Sequence, residues 1–150
     1  NSSDSQMLLN DNESYNSDGY YINYYNGSND HMLCLTSMNA PSINHQSCKY
    51  SFNSFIKSQA TILVFHKDAQ TITIKVNGNQ QATTDVYAKP SSKIEQHSSK
   101  ARIGRSAPSG SGQFLDGDLG EIIVYDRALS NKDIEHIEDY LSQKWHITIN

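Results

Sequence analysis

The residues best suited to chemistry in this chain are its tyrosines, four of which fall in the stretch Tyr-Tyr-Ile-Asn-Tyr-Tyr at residues 20–25. Successive side chains of a strand point to opposite faces. Tyr20, Ile22 and Tyr24 would then share one face, and Tyr21, Asn23 and Tyr25 the other. If Ile22 meets the core, the second set looks outward, beside a loop containing Asn29 and Asp30. Exposed rings can stack on the C–H faces of sugars, while amides and carboxylates bond the hydroxyls. Tyr21, Asn23, Tyr25, Asn29 and Asp30 are therefore a candidate glycan site. The alternative is an aromatic patch at a sheet edge, covered by further strands or by a neighbouring domain.

Other constellations point away from catalysis. Hydrolysis of a glycosidic bond needs two carboxyl groups flanking it. Glu121 and Asp126 stand five residues apart, which puts them on opposite faces of an ideal strand. Asp116 and Asp118 share a face, but Gly117 between them marks a turn. The histidines, at 31, 45, 66, 97, 136 and 146, are scattered, and no nucleophile motif accompanies them. The expectation is a protein that binds and does not catalyse. Cys34 and Cys48 lack zinc-ligand spacing. They are expected to form a disulfide, worth about 3 kcal/mol in the chain-entropy model, with two unpaired core thiols as the alternative. The triplets Asn1-Ser-Ser3, Asn12-Glu-Ser14 and Asn26-Gly-Ser28 fit the N-glycosylation pattern, although so Asn- and Ser-rich a chain produces them by chance.

The elements that must position these residues are mostly strands. Of 150 residues only 36% are apolar and 19% charged, and Asn, Ser, Thr and Gln make up most of the rest. Such uncharged polar residues suit strand faces and turns. Thr71–Val76 alternates strictly and runs into Asn77-Gly78, a tight-hairpin signal, with residues 80–84 as the returning strand. Residues 61–66 read as a central strand apolar on both faces. Shorter strands are expected at 7–9, 20–25, 32–35, 50–55, 102–105 and 119–125, about nine in all. Ser130 is a fitting N-cap for a closing helix, with Asp133 placed to reciprocate. Ile134, Ile137, Leu141 and Trp145 form its apolar stripe, and Glu135, His136, Glu138 and Asp139 its solvated face. No apolar run is long enough to span a membrane.

Three stretches resemble the end of a laminin-G-like jelly-roll module of the concanavalin A-like lectin/glucanase superfamily. They are Ala101-Arg-Ile-Gly-Arg-Ser106, Phe114-Leu-Asp-Gly-Asp-Leu-Gly-Glu-Ile-Ile-Val-Tyr-Asp-Arg-Ala-Leu-Ser130 and Ile137-Glu-Asp-Tyr-Leu-Ser-Gln-Lys-Trp145. The hairpin from Thr61 to Gln80 also fits, so the likeness covers residues 60–150 well and the first 59 loosely. It implies an all-β, two-sheet antiparallel jelly-roll sandwich with one short C-terminal helix, in which Ile122 and Val124 face the core and Trp145 plugs the sandwich edge. The chain is expected to be a single domain. Complete modules of this kind begin with further strands that include partners for the last one. None is found before Met7, so the expectation is either that the first strands are missing from this chain or that a larger surface protein supplies them.

The resemblance further implies a secreted or cell-surface adhesion module whose partners are glycans or glycoproteins, or other subunits of a surface assembly such as an adhesin or pilus. The rival is a structural or protein-binding module with no sugar site. Related modules often hold one calcium at the sandwich rim. The loops at residues 10–13 and 26–30 offer oxygen ligands, with Asp11 and Asp30 as the candidates, or else are solvated turns. The superfamily's hydrolases carry an E-x-D-x-x-E strand, which does not occur here. Charge is uneven. No Lys or Arg precedes Lys49, whereas Lys89, Lys93, Lys100, Arg102 and Arg105 cluster, a stretch suited to sulfated or sialylated glycans or simply a solvated loop. A net charge of −4 gives no indication of nucleic-acid binding.

Overall fold

The computed structural model describes residues 4–10, 19–26, 31–38, 47–52, 59–69, 71–85, 101–105 and 114–150. Nine strands and one helix lie among them: β1 Asp4–Asn10, β2 Gly19–Asn26, β3 His31–Met38, β4 Ser47–Phe52, β5 Leu63–Asp68, β6 Thr71–Val76, β7 Asn79–Gln80, β8 Thr83–Asp85, β9 Arg102–Ile103 and α1 Asn131–Trp145. They form two antiparallel sheets, of six strands in the order β8-β4-β3-β2-β1-β9 and three in the order β5-β6-β7. This is the expected two-sheet antiparallel arrangement with a C-terminal helix.

The core lies between the sheets and follows directly from alternation. In β6, Ile72, Ile74 and Val76 are buried while Thr71 is exposed. They pack with Tyr24 of β2, and Leu8, Tyr20, Ile22, Leu63 and Phe65 close around them. Tyr24 is pressed deep enough that desolvation pushes its phenol above the usual range.

The hairpin forms as its sequence requires. Asn77 and Gly78 both take positive φ, +48° and +82°, the pair of left-handed residues that matches strand twist. Asn77 also accepts from the Ile62 amide through Oδ1 at 2.8 Å and donates its own amide to the Ile62 carbonyl at 2.9 Å, tying the start of β5 to the turn. A Cβ on Gly78 would come within 2.7 Å of the Asn150 carbonyl oxygen, so glycine is required there for space as well as for φ. The returning strand is shorter than expected. Asn79 and Gln80 pair with β6, after which the chain crosses to the other sheet and Thr83–Asp85 pairs with β4.

Helix α1 lies against the side of β6 opposite the core. Ser130 Oγ accepts from the Asp133 amide at 3.2 Å and donates to Asp133 Oδ2 at 2.7 Å, as the capping signal implies. His146 ends the helix in the left-handed conformation, its amide bonded to the Ser142 carbonyl. Glu138 departs from expectation. It is buried, not solvated, and pairs with Lys75 of β6. The two residues lie on facing surfaces that neither local pattern couples.

The largest departure is at residues 119–125, expected to be a core strand. After Phe114 bridges Arg105, the Leu115 amide bonds the Gly104 carbonyl and the Asp116 amide bonds Gln6 Oε1, the chain makes no backbone–backbone hydrogen bond among the described residues until the helix. Ile122 is 40% exposed and Val124 60%, so neither faces the core. Trp145 is 43% exposed and does not plug the sandwich. It lies against Gly120, where a Cβ would meet its ring at 3.2 Å.

Candidate functional site

Strand β2 divides its residues as alternation demands. Tyr20, Ile22 and Tyr24 pack into the core, so positions 21, 23 and 25 belong to the opposite, outer face of the six-stranded sheet. Residues directly paired across antiparallel strands share a face. Tyr21 pairs with Thr36, Asn23 with Cys34 and Tyr25 with Met32. Those in turn pair with Cys48, Tyr50 and Phe52 of β4, and Tyr50 pairs with Thr84 of β8. The outer face therefore gathers the positions of Tyr21, Tyr25, Tyr50 and Phe52 around Asn23, Thr36 and Thr84. Asn23 is half-buried.

The sequence could not add Tyr50 and Phe52 to this set, because their register with β2 runs through β3. Asn29, Asp30 and Asp11 lie outside the described residues. So do Lys89, Lys93 and Lys100, while Arg102 and Arg105 sit on or beside β9. Cys34 and Cys48 fall on adjacent strands of the same face. Each is paired directly with another residue, Tyr50 and Thr36 respectively, so the cysteines lie on a diagonal. Diagonal neighbours are about 7–8 Å apart, beyond the roughly 7 Å between Cα atoms that a disulfide spans without backbone movement.

A concavity of about 280 Å3 opens between α1 and the hairpin. Lys75, Glu135, Glu138, Asp139 and Asn150 line it. It falls just below the size range of ordinary ligand pockets, about 300–1,000 Å3. No group of three or more His, Cys, Asp or Glu able to hold a metal occurs among the described residues.

Glu121 is tied into a structural cluster. Its carboxylate accepts from the Trp145 indole N–H at 3.1 Å and from the Tyr140 hydroxyl at 3.2 Å. It also pairs with the Lys144 ammonium at 3.1 Å. The indole bond first, then Lys144 and Tyr140, hold its carboxyl below the usual range. The Tyr140 hydroxyl and Glu121 raise the Lys144 ammonium. A depressed carboxyl stabilises the fold above its unfolded value, about 4.3, and that contribution is lost as pH falls through the folded value. A raised ammonium contributes fully below its unfolded value, about 10.4, and fades as pH rises through the folded one. Trp145 fluorescence should accordingly stay constant from neutral pH down to about pH 5 and change below pH 4.3. In Glu121→Gln that acid transition should be absent.

A family model described as the concanavalin A-like lectin/glucanases superfamily matches residues 1–135. The match takes in the first 59 residues, where the sequence likeness was loose, and stops short of the last turns of α1. No curated protein and no solved structure matches the chain.

Proposed function

The chain belongs to the concanavalin A-like lectin/glucanases superfamily, and from that premise we propose that it is a carbohydrate-binding adhesion module of a secreted or cell-surface protein. The fold fits a binding module, and laminin-G-like members are generally not enzymes. The carrying observation is the packing of Tyr20, Ile22 and Tyr24 into the core, Tyr24 buried and the other two partly so. It assigns Tyr21, Asn23 and Tyr25 to the outer face, and the strand register adds Tyr50, Phe52, Thr36 and Thr84 to them. In this reading aromatic rings stack on sugar faces while the amide and hydroxyls bond sugar hydroxyls. Asn29 and Asp30, which lie between β2 and β3 in the sequence, are proposed as further members of the same site.

Calcium enters the proposal as an ion at the rim, with Asp11 and Asp30 among its oxygen ligands. Extracellular calcium modules bind with dissociation constants of about 10⁻⁴ to 10⁻³ M, so occupancy would follow the calcium of the surroundings. A Cys34–Cys48 disulfide belongs to the same extracellular picture, and closing this diagonal would draw β3 and β4 together locally. Thiol titration of the unfolded, unreduced protein should then find no free thiol.

A glycan array probed in millimolar calcium and again in chelator tests the reading. Binding to a defined set of glycans is expected, stronger with calcium. Failure to bind any glycan in either condition, together with tight binding to a protein, would favour a structural or protein-binding module.

A further inference from the structure

The concavity between α1 and the hairpin concentrates charge of one sign. Glu135, Glu138 and Asp139 line it from the helix and Lys75 from β6, and Gly78, Ile149 and Asn150 complete the wall. Three carboxylates are thus set against one ammonium, which is already committed to Glu138. Helical spacing brings the acids together. Residues three and four apart are surface neighbours, about 5–6 Å between Cβ atoms, so Glu135 has both Glu138 and Asp139 beside it. Like charges at that spacing repel one another.

Glu138 separates this cluster from an ordinary solvated acidic surface. It is 2% exposed, and its Oε1 is buried with no hydrogen-bond partner among the described residues. A buried carboxylate oxygen ordinarily accepts at least one hydrogen bond. The Lys75 ammonium reaches the other oxygen, Oε2. The wall of the concavity therefore carries both uncompensated negative charge and a buried acceptor in need of a donor.

Geometry selects the kind of cation. A metal ion needs its oxygen ligands closed on one point, and these three carboxylates form no group able to hold one. Spread over a helical turn, they suit a cation whose several N–H donors point in different directions. Volume sets the size. A cavity of about 150 Å3 accepts a benzene ring, so one of about 280 Å3 takes an ammonium or a guanidinium with part of its stem. Ile149 is the apolar residue of the wall against which that stem would lie.

We propose that the concavity between α1 and the hairpin binds an organic cation, a primary ammonium or a guanidinium on an aliphatic stem. Glu135, Asp139 and Glu138 Oε1 accept its charge-assisted hydrogen bonds. Lys75 fixes the Glu138 side chain through Oε2 and leaves Oε1 to the ligand. The site is separate from the glycan face and does not depend on it.

Amide chemical-shift titration of the whole chain at low salt tests this, with Nα-acetyl-lysine methylamide and diaminopentane as the probes. Either should produce saturating shifts at Gly78, Glu135, Asp139 and Asn150 and leave β2–β4 unchanged. A tighter response to the lysine derivative assigns the site to a basic side chain, and a tighter response to diaminopentane assigns it to a free amine. Tetramethylammonium has the charge without the N–H donors and should give little response. Glu135→Gln combined with Asp139→Asn, both at exposed positions, should weaken binding roughly tenfold or more while the spectrum of the free chain keeps its dispersion. Absence of saturating shifts with both probes overturns the proposal, as does an equal response to tetramethylammonium or an unaltered affinity in the double variant. Saturation of the same four amides by calcium overturns it in favour of a metal site.

Discussion

Ile74→Ala is expected to lower the free energy of unfolding by about 2–5 kcal/mol. Ile74 is 0% exposed and sits among Tyr24, Ile72 and Val76. Truncation removes three carbons of buried surface and leaves a cavity that two hydrogen-bonded sheets can close only in part. A stability loss of that size is a large share of what a domain of this length has to lose. Urea denaturation monitored by far-UV circular dichroism would measure it. Thr71→Ala, on the exposed side of the same strand, should change stability by no more than about 0.5 kcal/mol. Equal effects at the two positions would mean that β6 is not the centre of the sandwich.

Lys75→Met is expected to be as damaging, for a different reason. Glu138 is 2% exposed, Lys75 is its ion-pair partner, and Glu138 Oε1 has no hydrogen-bond partner among the described residues. Removing the ammonium leaves a buried carboxylate uncompensated, which typically costs about 3–5 kcal/mol. Replacing both partners should recover most of that loss, because two apolar side chains of similar volume leave no charge to desolvate. Chemical denaturation of Lys75→Met, Glu138→Met and the double variant closes the cycle. A strong positive coupling is expected. Simple additivity of the two single losses would show that the pair does not hold α1 to the sheet.

The fold was legible where local chemistry decides it. Thr71–Val76 with Asn77-Gly78 could form little else, since alternation and two positive-φ residues converge on one hairpin. Ser130 and Asp133 marked the helix start for an equally local reason. Long-range pairing was harder to read. Nothing near Gln80 announces that the chain crosses between sheets before Thr83. Glu138 looks solvated beside Glu135 and Asp139, although its spacing of four from Ile134 places it on the buried side. Lys75, flanked by Ile74 and Val76 in a strand, was the complementary clue. Ile122–Val124 has the composition of a buried strand, and composition alone cannot show whether a neighbouring strand exists to bury it. At the outer face, one strand's alternation sufficed for Tyr21, Asn23 and Tyr25. Tyr50 and Phe52 required the register of three strands.

The claim that binding resides on the outer face of the six-stranded sheet is tested most directly by calorimetric titration with the tightest glycan from the array. Tyr21→Ala, Asn23→Ala and Tyr50→Ala would be compared with the unmodified chain and with Tyr125→Ser, away from that face. Loss of a stacking ring or of an amide bond should weaken affinity roughly tenfold or more at each of the three positions, about 1.4 kcal/mol, and leave Tyr125→Ser unchanged. Unaltered affinity in all three outer-face variants would contradict the account.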